Sequence, residues 1–311
     1  MGWHAGNWYI NSKSIGIEHE GFLADPDAWF TEAMYRSSAR LVRYLAHRYR
    51  IPMDRQHIIG HDNVPGLTPD AVAGMHTDPG PYWDWAHYFR LLGAPFHATA
   101  ESGADAVTID PSYPRNEPAL TGCVTPGPCA QHGSSAVMLY TAPSVSAPLV
   151  GDVGLHPSGK STTDVNDTGA RASAGQQYVV AGHKGGWTAI WYLGQEAWFR
   201  DPHRRRVALP ARAVVATPRR GLASIPVYGG AFPKASAFPA DVPVPADTTL
   251  QYRLPAGESY VVGDEVAGDY YYAKAYDSVR TWIRGGKYYE IQFGHRVEFV
   301  RASDVTLDLV R

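Results

Sequence analysis

An internal repeat in the later part of the chain constrains its fold more than any other feature. Three blocks occur twice in the same order: 137–140 (VMLY) matches 225–228 (IPVY), 174–180 (AGQQYVV) matches 256–262 (AGESYVV), and 191–199 (WYLGQEAWF) matches 291–299 (IQFGHRVEF). In each copy a glycine, Gly194 or Gly294, lies between two apolar segments and predicts a turn between strands. Two copies are too few for a solenoid, which needs at least three stacked units. We therefore expect two small all-β barrels, over residues 133–209 and 220–311.

The first 95 residues have a different pattern, which is typical of an α/β domain. Residues 14–21 (SIGIEHEG) alternate apolar and polar positions and predict a strand. A helix is expected to start at 25–27 (DPD) and to run to about Tyr49. A second short strand is predicted over 56–61 and a second short helix over 83–92. We expect a mixed sheet with flanking helices over residues 1–95, followed by a linker over 96–132 that carries both cysteines.

Charge, hydropathy and cysteine content exclude several classes of protein. The net charge of −2 does not support a nucleic-acid partner. No run of 18 apolar residues predicts a membrane span, and the first residues lack the basic and apolar regions of a signal peptide. Cys123 and Cys129 have five residues between them, which favours a small disulfide in an oxidising compartment; a pair of free thiols is the alternative.

Four residues carry side chains suited to metal-assisted hydrolysis. His61 and Asp78 are of types that bind Zn²⁺, and a catalytic zinc site needs three protein ligands and one open position. Glu18, in an otherwise apolar segment, is a candidate general base. His76, two residues before Asp78, is a candidate for stabilising an oxyanion. The alternatives are hydrogen-bonding loop residues for His61 and Asp78, a solvent-facing Glu18 and an exposed loop histidine.

Four blocks, in order, resemble the zinc-dependent N-acetylmuramoyl-L-alanine amidases, whose fold is shared with peptidoglycan recognition proteins. The blocks are 3–8 (WHAGNW), 11–21 (NSKSIGIEHEG), 59–62 (IGHD) and 77–81 (TDPGP). The repeats resemble bacterial SH3-like cell-wall-binding domains. The family's first zinc-ligating histidine lies upstream of the first block, where this sequence has only Met1 and Gly2. We therefore expect an N-terminally truncated amidase domain that lacks its first strand.

The resemblance assigns roles to individual positions. It implies that His61 and Asp78 are the second and third zinc ligands and that Glu18 is the catalytic carboxylate. His76 occupies a position that often holds a lysine, which stabilises the tetrahedral intermediate. The residues expected to line the substrate cleft are Trp3, His4, Trp8 and Tyr82.

The expected function is zinc-dependent hydrolysis of the amide between N-acetylmuramic acid and L-alanine in peptidoglycan. The expected protein is secreted, associated with the cell wall and monomeric, with peptidoglycan as its partner and Zn²⁺ as its cofactor. The alternative is a protein that binds peptidoglycan without cutting it, since the first zinc ligand is absent. A third possibility is a structural adhesin in which the repeats carry all the binding.

Overall fold

The computed structural model describes residues 2–123, 127–275 and 280–311. Its N-terminal part is built from helices and ordered loops. The α-helices, all in this part, are α1 (Trp8–Asn11), α2 (Pro26–Trp29), α3 (Glu32–Tyr49) and α4 (Trp85–Leu92). Short 3₁₀ helices occur along the whole described chain, at His61–Asn63, Pro69–Gly74, Tyr113–Arg115, Ala235–Ala237 and Ala302–Asp304. None of the described helices combines the length and apolar character that crossing a membrane requires.

Local capping explains where the two longer helices begin and end. The Thr31 hydroxyl accepts a hydrogen bond from the Met34 amide and starts α3, so the single predicted helix from 25 to 49 is split in two. Asp84 caps α4 in the same way by accepting from the His87 amide. The helix ends at Gly93, which has the left-handed φ of 83° that glycine tolerates best.

The mixed sheet predicted within residues 1–95 is wrong, because no described residue before Ala106 lies in a strand. Residues 14–21 are extended but form no backbone–backbone hydrogen bonds, since no neighbouring strand pairs with them. The segment 56–61 forms a turn instead of a strand. One oxygen of the Asp54 carboxylate accepts from the amides of Gln56 and His57, and this interaction competes with extended pairing.

The first repeat builds a five-stranded antiparallel sheet. Its part of the chain contains β1 (Ala106–Ile109), β2 (Ala136–Met138), β3 (Arg171–Ser173), β4 (Gln177–Lys184), β5 (Trp187–Tyr192), β6 (Gln195–Arg200) and β7 (Ala208–Ala211). The sheet order is β6-β5-β4-β1-β7, and β2 pairs with β3 separately. Strand β1 lies inside the segment predicted as a linker, which is therefore partly a core element of this sheet.

The second repeat builds a seven-stranded sheet. The remaining strands are β8 (Ala213–Pro218), β9 (Ser224–Tyr228), β10 (Thr249–Pro255), β11 (Tyr260–Ala267), β12 (Tyr270–Ala273), β13 (Arg280–Ile283), β14 (Lys287–Gln292), β15 (Val297–Arg301) and β16 (Val305–Val310). The order is β10-β9-β15-β14-β11-β8-β16, with β12 and β13 as a separate hairpin. The two copies of the repeat correspond: β4-β5-β6 match β11-β14-β15, and the preceding turns contain Gly175 and Gly257, with φ of 84° and 89°.

The expected barrel closure is not observed, because both sheets are open in the described part of the chain. At β6 the edge is covered by a single residue: the amide and carbonyl of Tyr140 pair with those of Trp198 at 2.7 and 2.8 Å. A short covering segment satisfies an exposed edge without closing the sheet. The SH3-like character of the repeats stays a prediction.

The N-terminal part packs directly on the second sheet. The Tyr9 ring lies edge-on against Phe299 of β15, with ring centroids 5.1 Å apart. The Asn7 amide donates to the carbonyl oxygens of Pro65 and Gly229 at 3.0 and 2.8 Å. These buried contacts join the loops that carry the predicted site to the last repeat.

Candidate metal centre

Two loops bring His61, His76 and Asp78 together. Each residue offers one ligand atom, and the three atoms lie within 4.8 Å of one another. The Nδ1 atoms of His61 and His76 are 3.5 and 3.4 Å from the two carboxylate oxygens of Asp78. The structure thus places the predicted ligands His61 and Asp78 side by side and adds His76 to the same cluster.

Backbone hydrogen bonds fix the two loops relative to each other. The Asp62 amide donates to the carbonyl oxygen of Asp78 at 2.7 Å. The Asn63 carboxamide oxygen accepts from the Gly60 amide at 2.9 Å and closes the short turn that begins at His61. Gly60 is required there, because a Cβ at this position would lie 2.3 Å from the Asp62 carboxylate and 2.7 Å from the Pro79 ring.

The electrostatics of the cluster favour an ionised carboxylate. Burial alone would raise the pKa of Asp78, but the hydrogen bond and charge of His61, with the charge of His76, hold that pKa below its ordinary value. His61 is the best covered of the three, with 21% of its side chain exposed against 60% for His76. Asp78 is therefore negatively charged at neutral pH and able to attract a cation.

The donor set fits zinc. Two imidazoles and one carboxylate are the ligand types of a catalytic Zn²⁺ site, which keeps its fourth position open. The Nδ1 atoms of both histidines face the Asp78 carboxylate, so two nitrogen donors and one oxygen donor are available on the same side of the cluster. His61, His76 and Asp78 are the residues that would hold the ion.

Glu18 is not joined to this cluster. Its side chain is exposed and makes no hydrogen bond or ion pair with any described residue. Its neighbours Ile17, His19 and Glu20 line a hollow of about 460 Å³ beside α3, where His19 contacts the Ser38 hydroxyl at 2.7 Å. Glu18 is not part of this lining.

The four residues predicted to line the substrate cleft differ in accessibility. Trp3 is 76% exposed and lies 5.1 Å from Trp8, ring centroid to ring centroid. His4 contacts the Ser14 hydroxyl at 2.8 Å. Tyr82 is only 2% exposed, because it is packed in a core with Leu120 and Val165. Its assignment as a substrate-binding residue is therefore corrected to a core position.

The cysteine-containing loop is closed in the structure. Cys123 and Cys129 form a disulfide, with their Cα atoms 5.4 Å apart. The Cys123 sulfur lies 3.9 Å from the Tyr82 hydroxyl, and both cysteines pack against the same core as that side chain.

Sequence reasoning missed the residues that support the metal loops from the second repeat. His295 and Arg296 lie in the turn between β14 and β15 and are 5% and 6% exposed. In the first repeat the matching residues are Gln195 and Glu196. The change from the acidic Glu196 to the cationic Arg296 was the available signal, but it did not say what the arginine contacts.

Comparisons with known proteins concern the N-terminal part of the chain. Residues 1–81 match the family model described as N-acetylmuramoyl-L-alanine amidase. N-acetylmuramoyl-L-alanine amidase A of Achromobacter lyticus is 36% identical over 101 residues, which cover 29% of this chain and 55% of the relative. The 1,6-anhydro-N-acetylmuramyl-L-alanine amidase AmpD of Salmonella typhimurium strain LT2 is 38% identical over 101 residues, covering 30% and 48%.

AmpD of Escherichia coli K12 is 40% identical over 96 residues, covering 29% of this chain and 45% of the relative. The chain thus spans about half the length of the curated relatives it matches. No solved structure matches it significantly. These findings support an amidase family for the N-terminal part of the chain.

Proposed function

We propose that the protein is a peptidoglycan amidase that hydrolyses the amide between the lactyl group of N-acetylmuramic acid and the L-alanine of the stem peptide. The observation that carries the proposal is the cluster of His61, His76 and Asp78, with three donor atoms within 4.8 Å, inside a segment similar to amidases. A zinc ion bound there would supply a Lewis acid for the carbonyl and lower the pKa of water.

The chain's own residues supply the proton transfers. Glu18 is the proposed general base: its carboxylate accepts a proton from the attacking water as the carbon–oxygen bond forms. The same proton passes to the leaving nitrogen of L-alanine as the carbon–nitrogen bond breaks. Trp3 presents an exposed indole that can stack on a sugar face or a peptide. His76 is reassigned from oxyanion stabiliser to third metal ligand, because its Nδ1 faces the same carboxylate as that of His61.

The two repeats are proposed to hold the enzyme at the cell wall. Tethering to an insoluble polymer raises the local concentration of cleavable bonds without changing the catalytic centre. The Cys123–Cys129 disulfide supports action outside the cell, because disulfides persist in oxidising compartments. The exposed Trp282 on the hairpin of β12 and β13 offers an aromatic surface to the wall.

The test is release of new L-alanine amino termini from purified peptidoglycan by the zinc-loaded protein. We expect release that stops with a chelator and in the His61→Ala variant. The matched control is His47→Ala, an exposed histidine on α3 outside the cluster. Zinc-loaded protein that releases no amino termini, or releases reducing sugar ends instead, would contradict the proposal.

A second candidate function is peptidoglycan binding without cleavage. The observation that favours it is the position of Glu18, which is not in contact with the metal cluster. Binding without cleavage predicts that the protein sediments with purified cell walls while releasing no amino termini. It also predicts that the Glu18→Gln variant sediments as the unsubstituted protein does.

A further inference from the structure

We propose that the turn between β14 and β15 positions the two metal-binding loops, with Arg296 and His295 as positioning residues. The inference rests on the proposed function in that it takes the cluster of His61, His76 and Asp78 to be a zinc site. It makes the metal centre dependent on a turn of the second repeat whose residues lie more than 200 positions later in the chain than the loop residues that they contact.

The Arg296 guanidinium contacts both loops at once. It donates from Nε to the carbonyl oxygen of Asp62 at 3.4 Å and from Nη2 to that of His76 at 3.4 Å. Its third bond runs from Nη1 to the carbonyl oxygen of Val72 at 3.1 Å. A planar guanidinium has its donors in a fixed arrangement, so it sets the separation of the groups that it binds. One of these groups belongs to a proposed ligand and another to the residue after His61.

His295 holds the same loop through its side chain and its backbone. Its Nε2 lies 2.9 Å from the Asp62 carboxylate, in a contact buried on both sides. Its Nδ1 faces the carbonyl oxygen of Arg171 at 3.1 Å. Its own carbonyl oxygen accepts from the Asn63 carboxamide at 3.0 Å. Asp62 and Asn63, the two residues that follow His61, are thereby fixed to the second repeat.

Removing the hydrogen bonds of Arg296 should disturb mainly the two metal-binding loops. Deleting the guanidinium would leave three carbonyl oxygens without this donor in a buried place, and the loops would move to recover hydrogen bonds. Zinc binds imidazole nitrogen at about 2.0–2.1 Å, so a small displacement of one loop breaks the geometry. Groups that orient metal ligands from outside typically change metal affinity by about 10–100-fold when removed.

The first repeat shows that this turn does not need such residues for folding. At the matching positions, Gln195 donates to the carbonyl oxygen of Gly151 and Glu196 is exposed. The hairpin of β5 and β6 forms with that neutral and acidic pair. The cationic arginine in the second copy is therefore explained by what it contacts outside the hairpin.

The experiment compares Arg296→Gln with Arg296→Lys and with Val261→Ala in the full chain. Val261 is buried in β11 of the same sheet and packs in a cluster that contains no residue of 60–78, so its truncation loosens the sheet without touching the metal loops. Zn²⁺ affinity is measured by competition with a chromophoric chelator, and Co²⁺ absorption reports ligand geometry. Hydrogen exchange of residues 60–78 in the metal-free protein reports loop position independently of metal.

We expect Arg296→Gln to weaken Zn²⁺ binding by about 10–100-fold and to change the Co²⁺ spectrum. Arg296→Lys should recover part of the loss, and Val261→Ala should bind as the unsubstituted protein does. Equal affinity in Arg296→Gln and Val261→Ala overturns the inference. Unsubstituted protein that takes up no Zn²⁺ defeats the proposed function instead. The exchange data then decide the positioning role: faster exchange of the loops only in Arg296→Gln supports it, and equal exchange in both variants refutes it.

Discussion

The imidazole rings of His61 and His76 are stacked, with centroids 4.0 Å apart and planes 12° from parallel. Stacking directs the Nδ1 atoms of both rings toward the one carboxylate of Asp78. An oxyanion-stabilising residue has no need to share that carboxylate with a metal ligand. The arrangement instead places two nitrogen donors and one oxygen donor around a single point.

The role of His76 can be separated from that of an oxyanion donor by measuring metal and activity together. His76→Ala should weaken Zn²⁺ binding by at least about tenfold, because a ligand contributes no less than the groups that orient it. His47→Ala, which changes an exposed histidine outside the cluster, should leave binding unchanged. Retained Zn²⁺ affinity with lost hydrolysis would show that His76 acts on the substrate and not on the metal.

Substitution of Glu18, the proposed base, should affect the rate of hydrolysis and not the binding of metal. Glu18→Gln should leave Zn²⁺ stoichiometry unchanged and reduce amide hydrolysis by about 10²–10⁴-fold, the usual contribution of a positioned acid or base. The control is Glu20→Gln, two residues further along the same exposed segment. Equal rates for the two variants would remove Glu18 from the mechanism.

Local features of the sequence predicted local structure well. The helix predicted over 83–92 is present as α4 and begins two residues later because Asp84 caps it, and the β5–β6 hairpin turns at Gly194 as predicted. The predicted strand at 14–21 failed for a non-local reason: a strand needs a partner, and nothing in its own pattern shows whether one is present. The strand predicted over 56–61 failed for a local reason: the Asp54 carboxylate accepts from the amides of Gln56 and His57 and stabilises a turn there.

In the candidate site, too, some residues could be predicted from the sequence and others could not. His61 and Asp78 could be proposed from residue type and resemblance, and the structure brings them together. Arg296 and His295 could not, because their contacts with Asp62 span more than 230 residues of chain. The burial of Tyr82 was equally hidden, since it depends on Leu120 and Val165 packing over it.

The disulfide should stabilise the fold modestly. A loop closed over a sequence separation of 6 restricts the unfolded chain by roughly 2 kcal/mol in the chain-entropy treatment. Cys123→Ser combined with Cys129→Ser should lower the melting temperature, and a reductant should have the same effect on the unsubstituted protein. A reductant should not change the melting temperature of the double variant. Identical melting curves with and without reductant in the unsubstituted protein would contradict a stabilising bond.

The half-buried carboxyl of Glu290 in β14 predicts a specific pH dependence of stability. Burial raises its pKa from 4.5 to about 7, and the nearby carboxylates of Asp264 and Asp54 add to the rise, against the opposing charge of His57. Between these pH values the folded protein keeps a proton that the unfolded chain releases, so the free energy of unfolding falls as pH rises through this interval.

The glutamine side chain of the Glu290→Gln variant does not ionise between pH 4.5 and about 7. Its stability advantage over the unsubstituted protein should therefore be smallest near the ordinary pKa of 4.5, grow up to about pH 7 and then stay constant, as measured by urea unfolding. The control is Glu265→Gln on β11, where Lys287 holds the pKa of the exposed carboxylate below its ordinary value. That carboxyl titrates at or below its ordinary pKa of 4.5 in the folded and unfolded states, so the control profile should become parallel to that of the unsubstituted protein as pH rises above 4.5 toward 7. A parallel profile for Glu290→Gln as well would mean that the Glu290 carboxyl is already ionised at acidic pH, and that burial does not govern it.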